Sequence, residues 1–433
     1  MVWGLLGGWE ERGTEEYNQT YSTRIETVFK FYDFFAGAGL TTLALSRAWR
    51  CIWANDIDER KAQVYRANFP ADHYVCKDIA QVTADELPEG AHMAWASFPC
   101  QDLSLAGWRR GLSAGRSGTF WQFWRLMQEQ FRASKRPPII VIENVVGLLY
   151  GDNFTGLCEA LAALGTQFGA LVMDARHFLP QSRPRVFVIA ADSRLKTDQL
   201  CGKVPNPTWT PPHLVRAAMQ LPGELLDLWR WWHLPVAGVS RVPVSRIMES
   251  EPTLVKWRTL EETEYILSLM DETNMAKLDA ARRVKGRHIG FLYKRIRNGA
   301  QRAEIRFDGI SGCLRTPQGG SSRQTVVIVE NGSVRSRLLS PREAARLMGV
   351  PDSFELPARY NDAYKAMGDG VAVPVVRWLS EHILEPLAGA PKRRSNYAVV
   401  HPGFEKSLRN AEQRAVLWSL TANGKSEDRR HRV

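Results

Sequence analysis

Cys100, in Phe98-Pro99-Cys100-Gln101, is the first residue here with the character of a nucleophile. It follows His92 to Ser97, which reads as a short buried strand. Pro99 has no N–H to give a ladder, so the strand stops there and the thiol faces a loop. Taken alone, a cysteine is more often a small buried hydrophobe. Its company argues otherwise. Pro138 to Ile142 is continuously apolar and ends at Glu143-Asn144-Val145. A carboxylate at the end of a buried strand is costly unless it has partners or a task. Gln181-Ser182-Arg183-Pro184-Arg185 then places two arginines at i and i+2, on one side of an extended segment leading into the strand Val186 to Ala190. A thiol at a strand end, a buried carboxylate that needs a task and two arginines beside an apolar strand are the groups of this chain that could do chemistry.

The elements that must position these groups read as a nucleotide-type α/β unit. Phe29 to Phe35 is an aromatic strand that runs into Phe35-Ala36-Gly37-Ala38-Gly39 and a helix from Leu40 to Ala48. Thr42 stands where a longer dinucleotide fingerprint would carry its third glycine. A second strand, Cys51 to Asp58, ends in Asp56-Ile57-Asp58, and a third, His73 to Cys76, ends at Lys77-Asp78-Ile79. Each acid alone would serve as a helix N-cap. The series points to an adenosine-bearing cofactor across one sheet edge, with an acid taking the ribose hydroxyls. Gly107 to Thr119 is glycine-rich, carries Arg109, Arg110 and Arg116, and reads as a lid, followed by an amphipathic helix from Phe120 to Phe131.

The chain has 433 residues, 44% of them hydrophobic, a net charge of +11 and a pI near 9.4. That allows two or three domains with large cores and favours a polyanionic partner. No two of the six cysteines have C-x-x-C spacing, so neither a metal site nor a disulfide framework is expected, and a reducing cytoplasm fits. No apolar run is long enough for a bilayer, so no membrane association is expected. Between Asp192 and Arg337 prolines and tryptophans cluster, βα alternation fades and most of the positive excess accumulates, which reads as a separate smaller domain. Its loop Leu314 to Gln324 offers Arg315, Gln318 and Arg323 to base edges. Ser340 to Gly349 reads as a capped helix, and Ala363 to Gly370 as a glycine turn before a helix to Leu384.

In order along the chain, Asp33 to Gly39, Phe98 to Gln101, Glu143 to Val145, Gln181 to Arg185, Ser340 to Gly349 and Gly368-Asp369-Gly370-Val371 resemble the motifs of the cytosine-C5 DNA methyltransferases. The resemblance covers roughly Phe29 to Leu387. It implies an α/β fold: a Rossmann-like methyltransferase domain with a mixed, mostly parallel sheet, plus a smaller DNA target-recognition domain. The expected division is an N-terminal extension (1–28), the first part of the catalytic domain (29–191), the recognition domain (192–337), a return to the catalytic domain (338–390) and a tail (391–433). The implied cofactor is S-adenosylmethionine, without a metal. Phe35, Ala36, Gly37 and Gly39 would approach it, Asp56 beside Ile57 would hold the ribose, Asp78 and Ile79 would flank the adenine, and Pro99 and Asp369 would complete the site. Cys100 would add to C6 of the base, Glu143 would donate to N3, and Arg183 and Arg185 would position the cytosine. Gln101, Ser104, Arg109 and Arg116 would meet the DNA. The partner would be double-stranded DNA, with room for a companion restriction endonuclease, and the protein would act as a monomer.

One departure stands out. The family has Gly-Asn-Ser-Val where this chain has Gly368-Asp369-Gly370-Val371. The expectation is an unpaired charge beside Phe35-Ala36-Gly37, at a modest cost to cofactor affinity. Two rival readings are an RNA-directed relative, against which the long middle segment argues, and a catalytically silent DNA-binding protein, against which the intact Cys100, Glu143, Arg183 and Arg185 argue.

Overall fold

The computed structural model describes residues 28–99, 118–237, 242–297, 299–315 and 323–390. Aromatic and β-branched runs form the strands of the main sheet: β1 (Phe29–Phe34), β2 (Trp49–Asp56), β3 (Tyr74–Cys76), β4 (Met93–Ala96), β5 (Ile139–Asn144), β6 (Thr166–Asp174) and β7 (Pro184–Asp192). Their order is β3-β2-β1-β4-β5-β7-β6. The pairs from β3 across to β5 are parallel, whereas β7 runs antiparallel to both β5 and β6. The sheet is thus mixed and mostly parallel, as the sequence predicts. The winding reverses between β1 and β4, and the crevice outside the carboxyl ends of two such strands is where an open α/β sheet receives ligands.

Side chains alternate across this sheet. Ile139 and Val141 enter one core with Phe31, Trp95 and Ile189, while Ile140 and Ile142 enter the other with Phe34, Ala94 and Val188. Helices α1 (Leu40–Leu45) and α2 (Glu59–Asn68) bring Leu40, Ala44 and Tyr65 to the first core. Helices α3 (Thr119–Arg132) and α4 (Asp152–Ala162) bring Phe120, Phe123, Phe154 and Leu157 to the second.

Strand β6 has no counterpart in the sequence reading, and it changes the place of the tryptophan-rich segment. Val172 N–H donates to Trp209 O at 2.7 Å, and Arg230 N–H to Phe168 O at 2.7 Å. Trp209, Leu214, Trp229 and Trp232 lie in the two main cores. Residues 200–234, expected in the second domain, therefore cover the edge strand β6, whose unpaired backbone groups would otherwise face solvent. A short pair, β8 (Cys201–Gly202) with β9 (Trp231–Trp232), closes this segment.

The second sheet is antiparallel, in the order β11-β10-β12-β13, from β10 (Arg287–Arg297), β11 (Ala300–Arg306), β12 (Thr325–Glu330) and β13 (Ser333–Leu338). Asn331 and Gly332, with φ of 50° and 84°, make the turn between the last two. Helices α5 (Leu260–Ser268) and α6 (Glu272–Arg283) cover one face, with Ile266, Leu278, Leu292, Ile305 and Val327 as a small core of their own. Phe291, Val326 and Ile328 on the other face join the main core.

The chain then returns through α7 (Pro341–Leu347), α8 (Tyr360–Asp369) and α9 (Val373–Leu379). Ser340 caps α7 in a capping box with Glu343. The glycine turn expected over Ala363 to Gly370 is instead the body of α8, which stops at Gly370 because that residue takes an extended conformation.

Candidate active site

The crevice at the β1/β4 switch point is lined first by the turn after β1. Phe35 adopts a φ of 60° and Gly37 a φ of 57°, so the turn is built from left-handed conformations that cost least at glycine. A Cβ on Gly39 would stand 2.5 Å from Phe69 Cε2 and 2.8 Å from Tyr65 Cδ2, so Gly39 is needed for the packing of α1 on α2. A Cβ on Gly37 would sit at ordinary contact distance, 3.7 Å from Lys61 Cδ and 3.9 Å from Asp56 Oδ2, so its φ rather than crowding calls for glycine there. The Gly37 N–H donates to Asp56 Oδ2 at 3.0 Å, and the Asp58 N–H to Asp56 Oδ1 at 2.9 Å. Each carboxylate oxygen keeps lone-pair capacity for a hydroxyl group. Ile57 next to it is 68% exposed, an apolar surface at the mouth of the crevice. Ile79 is buried, whereas Asp78 is exposed and caps the turn that follows by accepting the Ala80 N–H at 2.9 Å. A carboxylate with spare lone pairs beside an apolar flank fits an adenosine.

Two of the groups expected from the sequence, Glu143 and Arg185, meet at the same edge. Glu143, buried at the end of β5, lies 3.2 Å from Arg185 Nε at the start of β7. The antiparallel β5/β7 register brings them together, with Asn144 opposite Val186. Asn144 Nδ2 donates to Phe98 O at 3.0 Å and so anchors the segment leaving β4, with Pro99 exposed beyond it. The Phe98 ring meets Phe35 edge-on at 6.4 Å between centroids, joining the two loops of the crevice.

Arg183 is placed differently from its partner. It is 3% exposed, and its guanidinium donates to Leu314 O at 3.1 Å, Gly368 O at 2.8 Å and Gly370 O at 2.7 Å, with Cys313 Sγ at 3.3 Å. Four acceptors on two distant segments make it a staple between the middle domain, the last motif and β7. Burial tends to raise the Cys313 pKa, but Arg183, Arg185 and Arg315 outweigh it and hold the thiol below its usual value.

Asp369 requires a correction. It is not an unpaired charge: Lys61 Nζ on α2 lies 2.9 Å from its Oδ2. Gly370 packs so closely that a Cβ there would come within 2.5 Å of Leu40 Cδ2. Arg315 is exposed, while Arg323 donates to Asn361 Oδ1 at 2.6 Å and lies over the Tyr360 ring at 5.2 Å. Cys100, Gln101, Ser104, Arg109, Arg116 and Gln318 lie outside the described residues.

A family model for C-5 cytosine-specific DNA methylases matches residues 29–385. The chain belongs to that family. Among curated relatives, the Type II methyltransferase M.NlaX of Neisseria lactamica is 26% identical over 374 residues, covering 85% of this chain and 100% of that protein. The Type II methyltransferase M.HhaI of Haemophilus parahaemolyticus is 27% identical over 363 residues, covering 82% and 94%. Among solved structures, the Dnmt2 methyltransferase of S. pombe superposes with a TM-score of 0.50 at 19% identity, over 83% of this chain and 99% of that one. The Entamoeba histolytica methyltransferase EhMeth does so with a TM-score of 0.52 at 14% identity, over 83% and 99%. At those identities the structures speak to the fold alone.

In this C-5 cytosine methylase, sequence reasoning passes over three residues of the crevice. Asn144 lies inside a motif that was legible, but its bond to Phe98 O spans strands. Cys313 and Lys61 carry no local signal. Each acquires its place only from groups far along the chain, Arg183 for the one and Asp369 for the other.

Proposed function

We propose that this chain transfers a methyl group to C5 of a cytosine flipped out of double-stranded DNA, through a covalent adduct between Cys100 and C6. The observation that supports this most is convergence at one edge. Glu143 and Arg185 stand 3.2 Å apart, beside a Phe98 carbonyl that Asn144 holds at 3.0 Å, and the sequence puts the thiol two residues further on. S-adenosylmethionine, when bound, supplies the methyl group; Phe35, Gly37 and Asp56 would hold it.

The Cys100 thiolate forms a C–S bond at C6 and pushes an electron pair towards C5. Glu143 donates its proton to N3, which stabilises the resulting enamine. Arg185 binds O2 and, through its contact with Glu143, orients that acid. C5 takes the methyl group, bound water removes the C5 proton, the C6–S bond breaks to return the thiolate, and N3 returns its proton to Glu143. Arg183 acts by position, holding the last motif and the middle domain against β7. The recognition unit is the second sheet with its helices, and Arg315, Gln318 and Arg323 approach the DNA from it. Gly107 to Thr119 would close over the emptied base position. The Type II relatives favour a role beside a restriction endonuclease.

A duplex carrying 5-fluorocytosine tests the covalent step, because fluorine cannot leave as a proton does. The expected result is an adduct with this protein that survives denaturation, absent from Cys100→Ser, which still retains the duplex in a gel shift. An active preparation that yields no adduct would rule out addition at C6.

A further inference from the structure

Three ion pairs tie the start of α2 to α8. Lys365 Nζ lies 2.7 Å from Oδ2 of Asp58, the N-cap of α2, Arg60 Nη1 lies 3.1 Å from Asp362 Oδ1, and Lys61 Nζ lies 2.9 Å from Asp369 Oδ2. Arg60, with a side chain 70% exposed, contributes little. Lys61 is different. Its side chain is 18% exposed, and its Cδ stands 3.7 Å from the point where a Gly37 Cβ would be. Asp56 Oδ2 stands 3.9 Å from that same point. The ammonium pairs with Asp369 and feels Asp56 and Asp58 through space. Burial works to lower its pKa, yet Asp369, Asp56 and Asp58 together raise it, so the ammonium remains charged at neutral pH. The Lys61 stem thus runs along the glycine turn whose Gly37 N–H bonds to Asp56, so the second carboxylate lies beside the same side chain.

We propose that Asp369 is a positioning residue that holds Lys61 off Asp56, leaving the Asp56 carboxylate free for the ribose hydroxyls of the cofactor. The pair takes the place of the neutral Asn-Ser in the last motif: a lysine beside the glycine turn needs an acid at 369 to hold it. Without that acid the ammonium turns to Asp56 and competes with the ligand. This rests on the reading of Asp56 as the ribose acid.

Calorimetric titration with S-adenosylhomocysteine and with 5′-methylthioadenosine, which lacks the amino-acid end, tests the inference. Asp369→Asn should bind both nucleosides about tenfold or more weakly, the scale of one hydrogen bond to a charged group. The double variant Lys61→Met with Asp369→Asn should recover most of that loss, because the competing ammonium is gone. Unchanged affinity in Asp369→Asn would overturn the proposal. So would a loss confined to S-adenosylhomocysteine, which would make the pair a contact for the amino-acid end, and so would a double variant as weak as the single. Wild-type protein that bound neither nucleoside would remove the cofactor reading itself, and this inference with it.

Discussion

Asp33 shows how one residue in the first motif carries a pH dependence. It is fully buried in β1; Thr42 Oγ1 donates to its Oδ2 at 3.0 Å, and its Oδ1 has no hydrogen-bond partner. Burial, against the pull of the Thr42 bond, pushes its pKa up to about 7. In the unfolded chain the same group titrates near 3.9. Between those values the folded protein keeps a proton that the unfolded chain has lost, so the unfolded state binds fewer protons and stability falls as pH rises. The slope reaches roughly 1.4 kcal/mol per pH unit inside the window and vanishes above it. Asp33→Asn cannot ionise. Its melting temperature relative to wild type should therefore be distinctly more favourable at pH 8 than at pH 5. The same difference at both values would show that Asp33 does not titrate in that range.

At the scale of elements, the junction of β13 with α7 depends on a buried ion pair. Arg337 and Glu343 are 1% and 0% exposed, with bonds of 2.6 and 2.7 Å between the guanidinium and both carboxylate oxygens. The same carboxylate accepts the Ser340 N–H at 2.9 Å and the Glu249 N–H at 3.0 Å. One side chain closes a capping box, ties down the segment before α5 and neutralises an arginine. Removing it leaves a buried guanidinium without its counter-ion and two amides without partners, at about 3–5 kcal/mol. Glu343→Ala should lower the unfolding free energy by that amount in urea titrations; a loss below about 1 kcal/mol would mean the site relaxes or admits water.

At the scale of the whole molecule, the packing of residues 200–234 decides how the protein can be taken apart. Trp209, Leu214, Trp229 and Trp232 belong to the cores of the main sheet, whereas Ile266, Leu278, Leu292 and Ile305 form the separate small core. On the proposed assignment of target choice to the second sheet, grafting residues 244–337 from a relative of different specificity should move methylation to that relative's site. Grafting 192–337 should give an unstable protein, because it also replaces the cover of β6. Bisulfite sequencing of DNA from a methylation-free host reads the first outcome and expression with thermal melting reads the second. A stable 244–337 chimaera that kept the parental site would place recognition elsewhere.

The sequence by itself determined what is local. Apolar runs that end in an acid, a glycine turn or a proline place β1, β2, β4 and β5 and the chemistry at their carboxyl ends, because strand propensity and termination are set by neighbours along the chain. The order of these runs and the middle segment's change of character carry the α/β class. The tertiary structure decided what distant segments do to one another. Arg183 and Arg185 look equivalent in sequence, two residues apart on one side of a strand. One becomes a buried staple to Leu314, Gly368 and Gly370, while the other turns to Glu143. Asp369 reads as a stray charge until α8 sets it against Lys61, and Trp209, Trp229 and Trp232 read as part of a new domain until β6 proves to be the edge their segment covers. In each case the local sequence is compatible with either outcome. The difference lies in desolvation and pairing across the fold, which set the energy of a buried charge and of an uncovered edge.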